Sequence, residues 1–297
     1  MMFQIQNDLS GSTMNCAGAI DLSTQLFQSP YVNNRMRMLY ASAQGCNVGI
    51  QLYPLLNSFQ NLNFTSPDAI FKALVQLFPS RTALDSKLQS TWLMQDALQA
   101  TLNDGTVVGA ADQILINAYN TGSDLSRDHT NDANSFLVFT AMAGVGTSLN
   151  RYGYLPTDDP ASLAYAPTQT GVLPWTAPGV VPSWSNQAGV LGDTSHAACS
   201  LVSSLYNMFD AISAVSGFTS GAVKSAFALI GVLQVPMDFA GNTQCTADGF
   251  TAPECQNAAA RLRYRDACFE SNVNASKAAA SYTAGVIQAI IGPGGWQ

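Results

Sequence analysis

Residues 84–102, LDSKLQSTWLMQDALQATL, set the fold class. Leu84, Leu88, Trp92, Ala97 and Leu98 recur at intervals that bring them near one face of an α-helix. The turn-forming run Asn103-Asp104-Gly105 then ends the segment. The spacing predicts a helix over 84–102, and the same signature repeats along the chain.

Upstream, Pro30 precedes YVNNRMRMLYASAQGCNVGIQLYPLL, where Met36, Leu39, Tyr40, Ala43, Cys46 and Ile50 form another helical stripe. Thr65-Ser66-Pro67-Asp68 opens a helix with serine as N-cap and proline in its first turn, ending near Phe78 before Pro79. Downstream, helices are predicted over Val107–Tyr119 and over Thr130–Arg151, the latter entered through SRDHTNDAN. Further helices are expected from Thr194 to about Val215, from Thr219 or Ser220 to about Gln234, over Ala252–Ser271 and over Ala275–Ile291. Val235–Pro253 reads as a loop pinned by cysteine. No long stretch alternates apolar and polar residues as a strand would.

The expected fold is therefore all-α: an irregular α-superhelix or helical bundle of about eight helices. Pro156–Asp193 interrupts it with six prolines, several glycines, Trp175 and Trp184, a composition that forbids a regular helix. This divides the chain into a helical half over 1–155, an extended Pro/Gly/Trp loop over 156–193 and a helical half over 194–297. The two halves are separate units or parts of one domain. Trp175 and Trp184 are interface candidates, anchoring the loop on its own helices or on a partner.

Six cysteines, two histidines and two glutamates point to disulfides in an oxidising compartment rather than to metal or catalytic chemistry. Proximity in sequence favours Cys16 with Cys46 and Cys245 with Cys255, leaving Cys199 for Cys268. Only 10% of residues are charged, against about 25% in an average protein, and Ser, Thr, Asn and Gln supply the polarity. The net charge of −7 and pI near 4.5 argue against nucleic acid as a partner. The apolar runs Phe136–Val145 and Ala211–Val235 read as core helices, the first too short to span a bilayer and the second carrying Lys224, serines and glycines. No transmembrane helix is expected. The N-terminal MMFQIQNDLSGSTMNC has no signal-peptide layout, so an exported protein would have lost its targeting segment upstream, or carry a lipid-modified cysteine there.

The segment Arg37-Met38-Leu39-Tyr40-Ala41-Ser42-Ala43-Gln44-Gly45-Cys46, after a short helix ending at Ser29-Pro30, resembles helix-pair segments of TPR-like bacterial envelope lipoproteins. The resemblance covers roughly residues 20–150 and lacks that family's tryptophan and proline positions. It implies a scaffold or transport-accessory role and assigns no ligand-binding residue.

The acidic run around Asp124, Asp128, His129 and Asp132 offers oxygens for a hard cation or a hydrolytic site. The same residues serve as caps and dipole partners of the following helix, and their spacing is not that of an EF-hand. His196 lies three positions before Cys199, but neighbours in sequence rarely form a catalytic pair. The Asp158-Asp159 pair sits in a proline-flanked turn. GxSxG, SxxK, HExxH, P-loop and GxGxxG motifs are missing, and two glutamates leave little for a Glu-based glycosidase.

Three functions follow as expectations. The first is a non-enzymatic helical protein or lipoprotein of the periplasm or outer-membrane surface, without a cofactor, serving as subunit or accessory of an envelope assembly and partnered by another envelope or membrane protein. The second is a periplasmic binding module holding a small apolar ligand near Ala141, Gly144 and Gly146. The third is a hydrolase or cation site at Asp128, His129 and Asp132. Secretion is the alternative to envelope localisation.

Overall fold

The computed structural model describes residues 1–10, 14–27, 33–50, 70–71, 74, 84–102, 127–152, 197–215, 221–263, 267–268 and 273–291. Among them are nine helices and no strand: α1 (Met2–Ser10), α2 (Cys16–Phe27), α3 (Asn34–Val48), α4 (Leu84–Leu102), α5 (Arg127–Tyr152), α6 (Ala197–Ala214), α7 (Gly221–Ala247), α8 (Ala252–Arg261) and α9 (Val273–Ile291). The fold is an all-helical bundle. Each of α1 to α6 packs on the next, and α6, α7 and α9 then close on one another with α8 against α7 and α9.

Local chemistry explains several ends. Asn33 caps α3, its side chain accepting from Met36 N at 3.0 Å. Gly49 closes the same helix at φ 83°, and Gly49 N and Ile50 N donate back to the carbonyls of Cys46 and Gly45. At α8, the Glu254 carboxylate accepts from Thr251 N at 2.8 Å and from Thr251 Oγ1 at 2.7 Å. Those bonds, the backbone one first, hold the Glu254 carboxyl below the usual glutamate range.

One apolar core runs from Tyr40 to Ile290 and draws residues from both sides of the proline-rich stretch, among them Leu98, Phe139, Leu205 and Tyr282. A second cluster seats Ile5 of α1 and Ala19 of α2 on Leu39 and Ala43 of α3. Disulfides join Cys16 to Cys46, Cys199 to Cys268 and Cys245 to Cys255, with Cα–Cα distances of 5.4, 6.2 and 5.8 Å. These are the pairings that proximity in sequence favoured.

Four boundaries differ from the sequence expectation. Residues 2–10, to which the sequence reading assigned no helix, are helical because Ile5 finds a fully buried seat. Helix α5 starts at Arg127, so the acidic run lies partly inside its first turns. Helix α8 stops at Arg261 instead of reaching Ser271. The largest difference is α7, which continues through Pro236 to Ala247 where a loop over 235–253 was expected. Proline mid-helix costs about 3 kcal/mol. Here the ring stands on the exposed side while Leu233, Met237 and Cys245 bury the opposite side, and that burial outweighs the lost hydrogen bond. The helices expected over 65–78 and 107–119, the loop over 156–193 and its Trp175 and Trp184 lie wholly or largely outside the described residues. Within the first of these, Ile70, Phe71 and Leu74 are helical and buried.

Candidate functional site

Helix α7 carries two distinct features on its two sides. Inward, Phe227, Ile230, Leu233, Met237 and Cys245 are buried at helical spacing against the core. Outward, Val232, Val235 and Phe239 are 67%, 72% and 74% exposed. Ala228, Gly231 and Pro236 are exposed beside them, and no charged residue occurs from Ser225 to Met237. A helix apolar on all sides is normally buried on all sides. Here one apolar face stays open, the pattern of an interaction surface.

On the side of α7 facing α6 and α9 lies a polar cluster. Tyr206 Oη donates to Asp238 Oδ1 at 2.5 Å, and Tyr282 Oη donates to the same oxygen at 2.9 Å. The two phenolic oxygens are themselves 2.9 Å apart. Both tyrosines are buried, Tyr206 at 1% and Tyr282 at 0% exposure. Burial, before any neighbouring charge, pushes both phenols well above their ordinary value. The approach that makes the cluster possible is at Gly241, where a Cβ would fall 2.5 Å from Tyr282 Cε1, and at Gly285, which abuts the Ala240 carbonyl.

Arg263, just past α8, completes the surroundings. Its guanidinium carbon lies 4.7 Å from the Tyr206 ring centroid. Its fork grips Asp210, with Nε to Oδ2 at 2.6 Å and Nη2 to Oδ1 at 2.9 Å. A second polar seam joins α4 to α6. Gln95 Nε2 donates to Ser204 Oγ at 2.9 Å, Asn207 Nδ2 to Gln95 Oε1 at 3.0 Å and Gln99 Nε2 to Asn207 Oδ1 at 2.6 Å.

The residues singled out from sequence fall as follows. Asp132 is exposed on the second turn of α5. Asp128 and His129 are on the first turn of that helix, but their side chains, like Asp124 altogether, lie outside the described residues. At Gly144 a Cβ would run into Ser204 Oγ and Gln95 Nε2, so this position serves a close crossing of α5 with α4 and α6. Ala141 is fully buried. Among the described residues no three His, Cys, Asp or Glu side chains are grouped to hold a metal, and no helix is long and apolar enough to cross a membrane.

Sequence reasoning missed the Tyr206–Asp238–Tyr282 cluster and the open face of α7. Both hinge on residues 235–247 being helical. One signal was present: Asp238 is a lone carboxylate directly after a long uncharged run, a placement that needs a partner if the run is helical. Comparison with family models, with curated proteins and with solved structures finds no match to this chain.

Proposed function

We propose that this protein is a non-enzymatic, disulfide-stapled helical subunit or accessory of an assembly in the bacterial envelope. It acts on the periplasmic side or at the outer-membrane surface, held there by a lipid upstream of residue 1 or free. The observation that carries the reading is the open apolar face of α7: Val232, Val235 and Phe239. Three disulfides suit an oxidising compartment, and the resemblance of Arg37–Cys46 to TPR-like envelope lipoproteins points the same way.

The partner is an uncharged apolar helix of another envelope protein. A charged group pressed against Val235 and Phe239 would lose its water and find no counter-charge there. Gly231, where an added Cβ would meet nothing within 4 Å, leaves a notch beside Val232 and Val235 for a partner's ridge.

The test is co-purification from the native host after cross-linking, with the chain unaltered and with Val235→Glu/Phe239→Glu. Surface changes of this kind move stability by only about 0.5 kcal/mol. The expected result is a discrete partner captured by the unaltered protein and lost from the variant, with unfolding unchanged. A partner retained by the variant, or none captured, overturns the proposal.

A further inference from the structure

The three disulfides do not share one setting. Cys199, Cys245 and Cys255 are fully buried and Cys268 is 7% exposed, and all four belong to the main core. Cys16 and Cys46 stand outside that core, and both are partly exposed. A reducing thiolate must reach a disulfide sulfur in line with the bond it breaks. In the folded protein Cys16–Cys46 is therefore the bond open to exchange.

What this bond holds is also distinct. Among the described helices, α1 and α2 pack appreciably only on each other and on α3. Their seam is the small second cluster, whose buried members are Ile5, Ala19, Leu39 and Ala43. Two of these are alanines, which bury little area, so the apolar grip is slight. The hydroxyls of Ser23 and Thr24 do not reinforce it, since both donate to the Ile20 carbonyl of their own helix. At the far end of α2, Phe27 stacks on Tyr40 of the main core with ring centroids 4.4 Å apart. The α1–α2 pair is thus fixed at Phe27 by packing and at Cys16 by a covalent bond.

We propose that Cys16–Cys46 is a redox latch, which a dithiol reductant opens in the folded protein so that α1 and the start of α2 swing off α3 about the Phe27–Tyr40 stack. This does not depend on the assembly role of α7. The two sulfurs are unequal. Cys16 opens α2, where the helix dipole favours a departing thiolate, whereas Cys46 sits in the last turn of α3, where the dipole opposes one. One thiolate of the dithiol attacks Cys46 Sγ and expels Cys16, forming a mixed disulfide. The second thiol then attacks the reductant's own sulfur in that mixed disulfide and frees Cys46. Two electrons and two protons pass to Cys16 and Cys46, and the dithiol leaves as a disulfide. Opening bares Leu39 and Ala43 on α3, together with Ile5 and Ala19, which this seam buries while the latch is shut.

The experiment treats the full-length oxidised protein with graded dithiothreitol under native conditions, then alkylates free thiols and maps the peptides. The expected result is Cys16 and Cys46 modified while the other four cysteines remain paired. Hydrogen exchange on that species should quicken on the order of 100-fold in α1 and the first turn of α2, because a closed loop of 30 residues no longer restrains opening. Exchange in α4 and α6 should not change, and reoxidation should restore the slow rates. Cys16→Ser/Cys46→Ser, which lacks only this bond, should show the fast pattern without reductant. Cys199–Cys268 or Cys245–Cys255 opened as early as Cys16–Cys46 overturns the proposal. So does unchanged exchange in α1 once the bond is gone, the result for a passive staple. Exchange that quickens equally in α4 and α6 also overturns it, because the bond then stabilises the whole fold and gates nothing.

Discussion

Gly241 lies against the ring of Tyr282, so that a Cβ built on the glycine would fall 2.5 Å from Tyr282 Cε1 and 2.6 Å from Cζ. On the same helix, a Cβ at Gly231 would meet nothing within 4 Å. The same substitution should therefore act with opposite sign at the two positions. Gly231→Ala gains helix propensity and is expected to stabilise by about 0.5–1 kcal/mol. Gly241→Ala gains as much propensity but forces α7 and α9 apart, for a net loss of about 1–2 kcal/mol. Urea unfolding of both variants checks this, and equal signs would show that the α7–α9 approach is looser than described.

The three disulfides should differ in worth. Their sequence separations of 69, 30 and 10 residues correspond, in the chain-entropy account, to about 4.4, 3.6 and 2.7 kcal/mol for Cys199–Cys268, Cys16–Cys46 and Cys245–Cys255. Paired Cys→Ala replacements measured by denaturant unfolding should fall in that order. A Cys199/Cys268 pair less costly than Cys245/Cys255 would refute it.

Asn207 ties the α4–α6 seam together, bonding Gln95, Gln99 and the Arg263 carbonyl, the last at 3.1 Å. Asn207→Ala removes one partner from each of these buried groups and is expected to cost about 2–3 kcal/mol. Ser213→Ala, which breaks only an exposed bond to the Asp210 carbonyl in its own helix, should stay within about 0.5 kcal/mol. Comparable effects at the two sites would mean that the seam contributes nothing specific.

Alkali should unfold the protein through Tyr206 and Tyr282. Their folded pKa values lie above the ordinary phenol value of 10.0 because burial disfavours the phenolate. The folded state therefore keeps protons that the unfolded chain gives up above pH 10. Stability from these groups is whole below the unfolded pKa and falls as pH rises past it, by about 1.4 kcal/mol per pH unit for each phenol still neutral. Unfolding midpoints followed across that range should fall steeply in the unaltered protein and much less in Tyr206→Phe/Tyr282→Phe. An equal fall in both would place the alkaline transition elsewhere.

What could be read from the sequence was local. Apolar spacing over 84–102 gave α4 with both ends correct, because a helix that buries one stripe writes its period into the chain. Spacing also favoured the three cysteine pairings, and the six cysteines themselves announced disulfides. The candidate site was not legible in the same way. Tyr206, Asp238, Arg263 and Tyr282 are separated by tens of residues, and nothing periodic marks them as neighbours.

Tertiary structure decided the rest, and Pro236 shows why. Read alone, a proline breaks a helix, at a cost of about 3 kcal/mol. In the fold, Leu233, Met237 and Cys245 bury one side of α7 while the proline ring faces out, so the helix continues to Ala247. That continuation carries Asp238 to the two tyrosines and turns Val235 and Phe239 outward. The sequence by itself determined the helical class and the covalent staples, since both depend on residue type and spacing. The open face and the buried oxygen triangle depend on which helix lies against which, and burial energy summed over the whole core settles that.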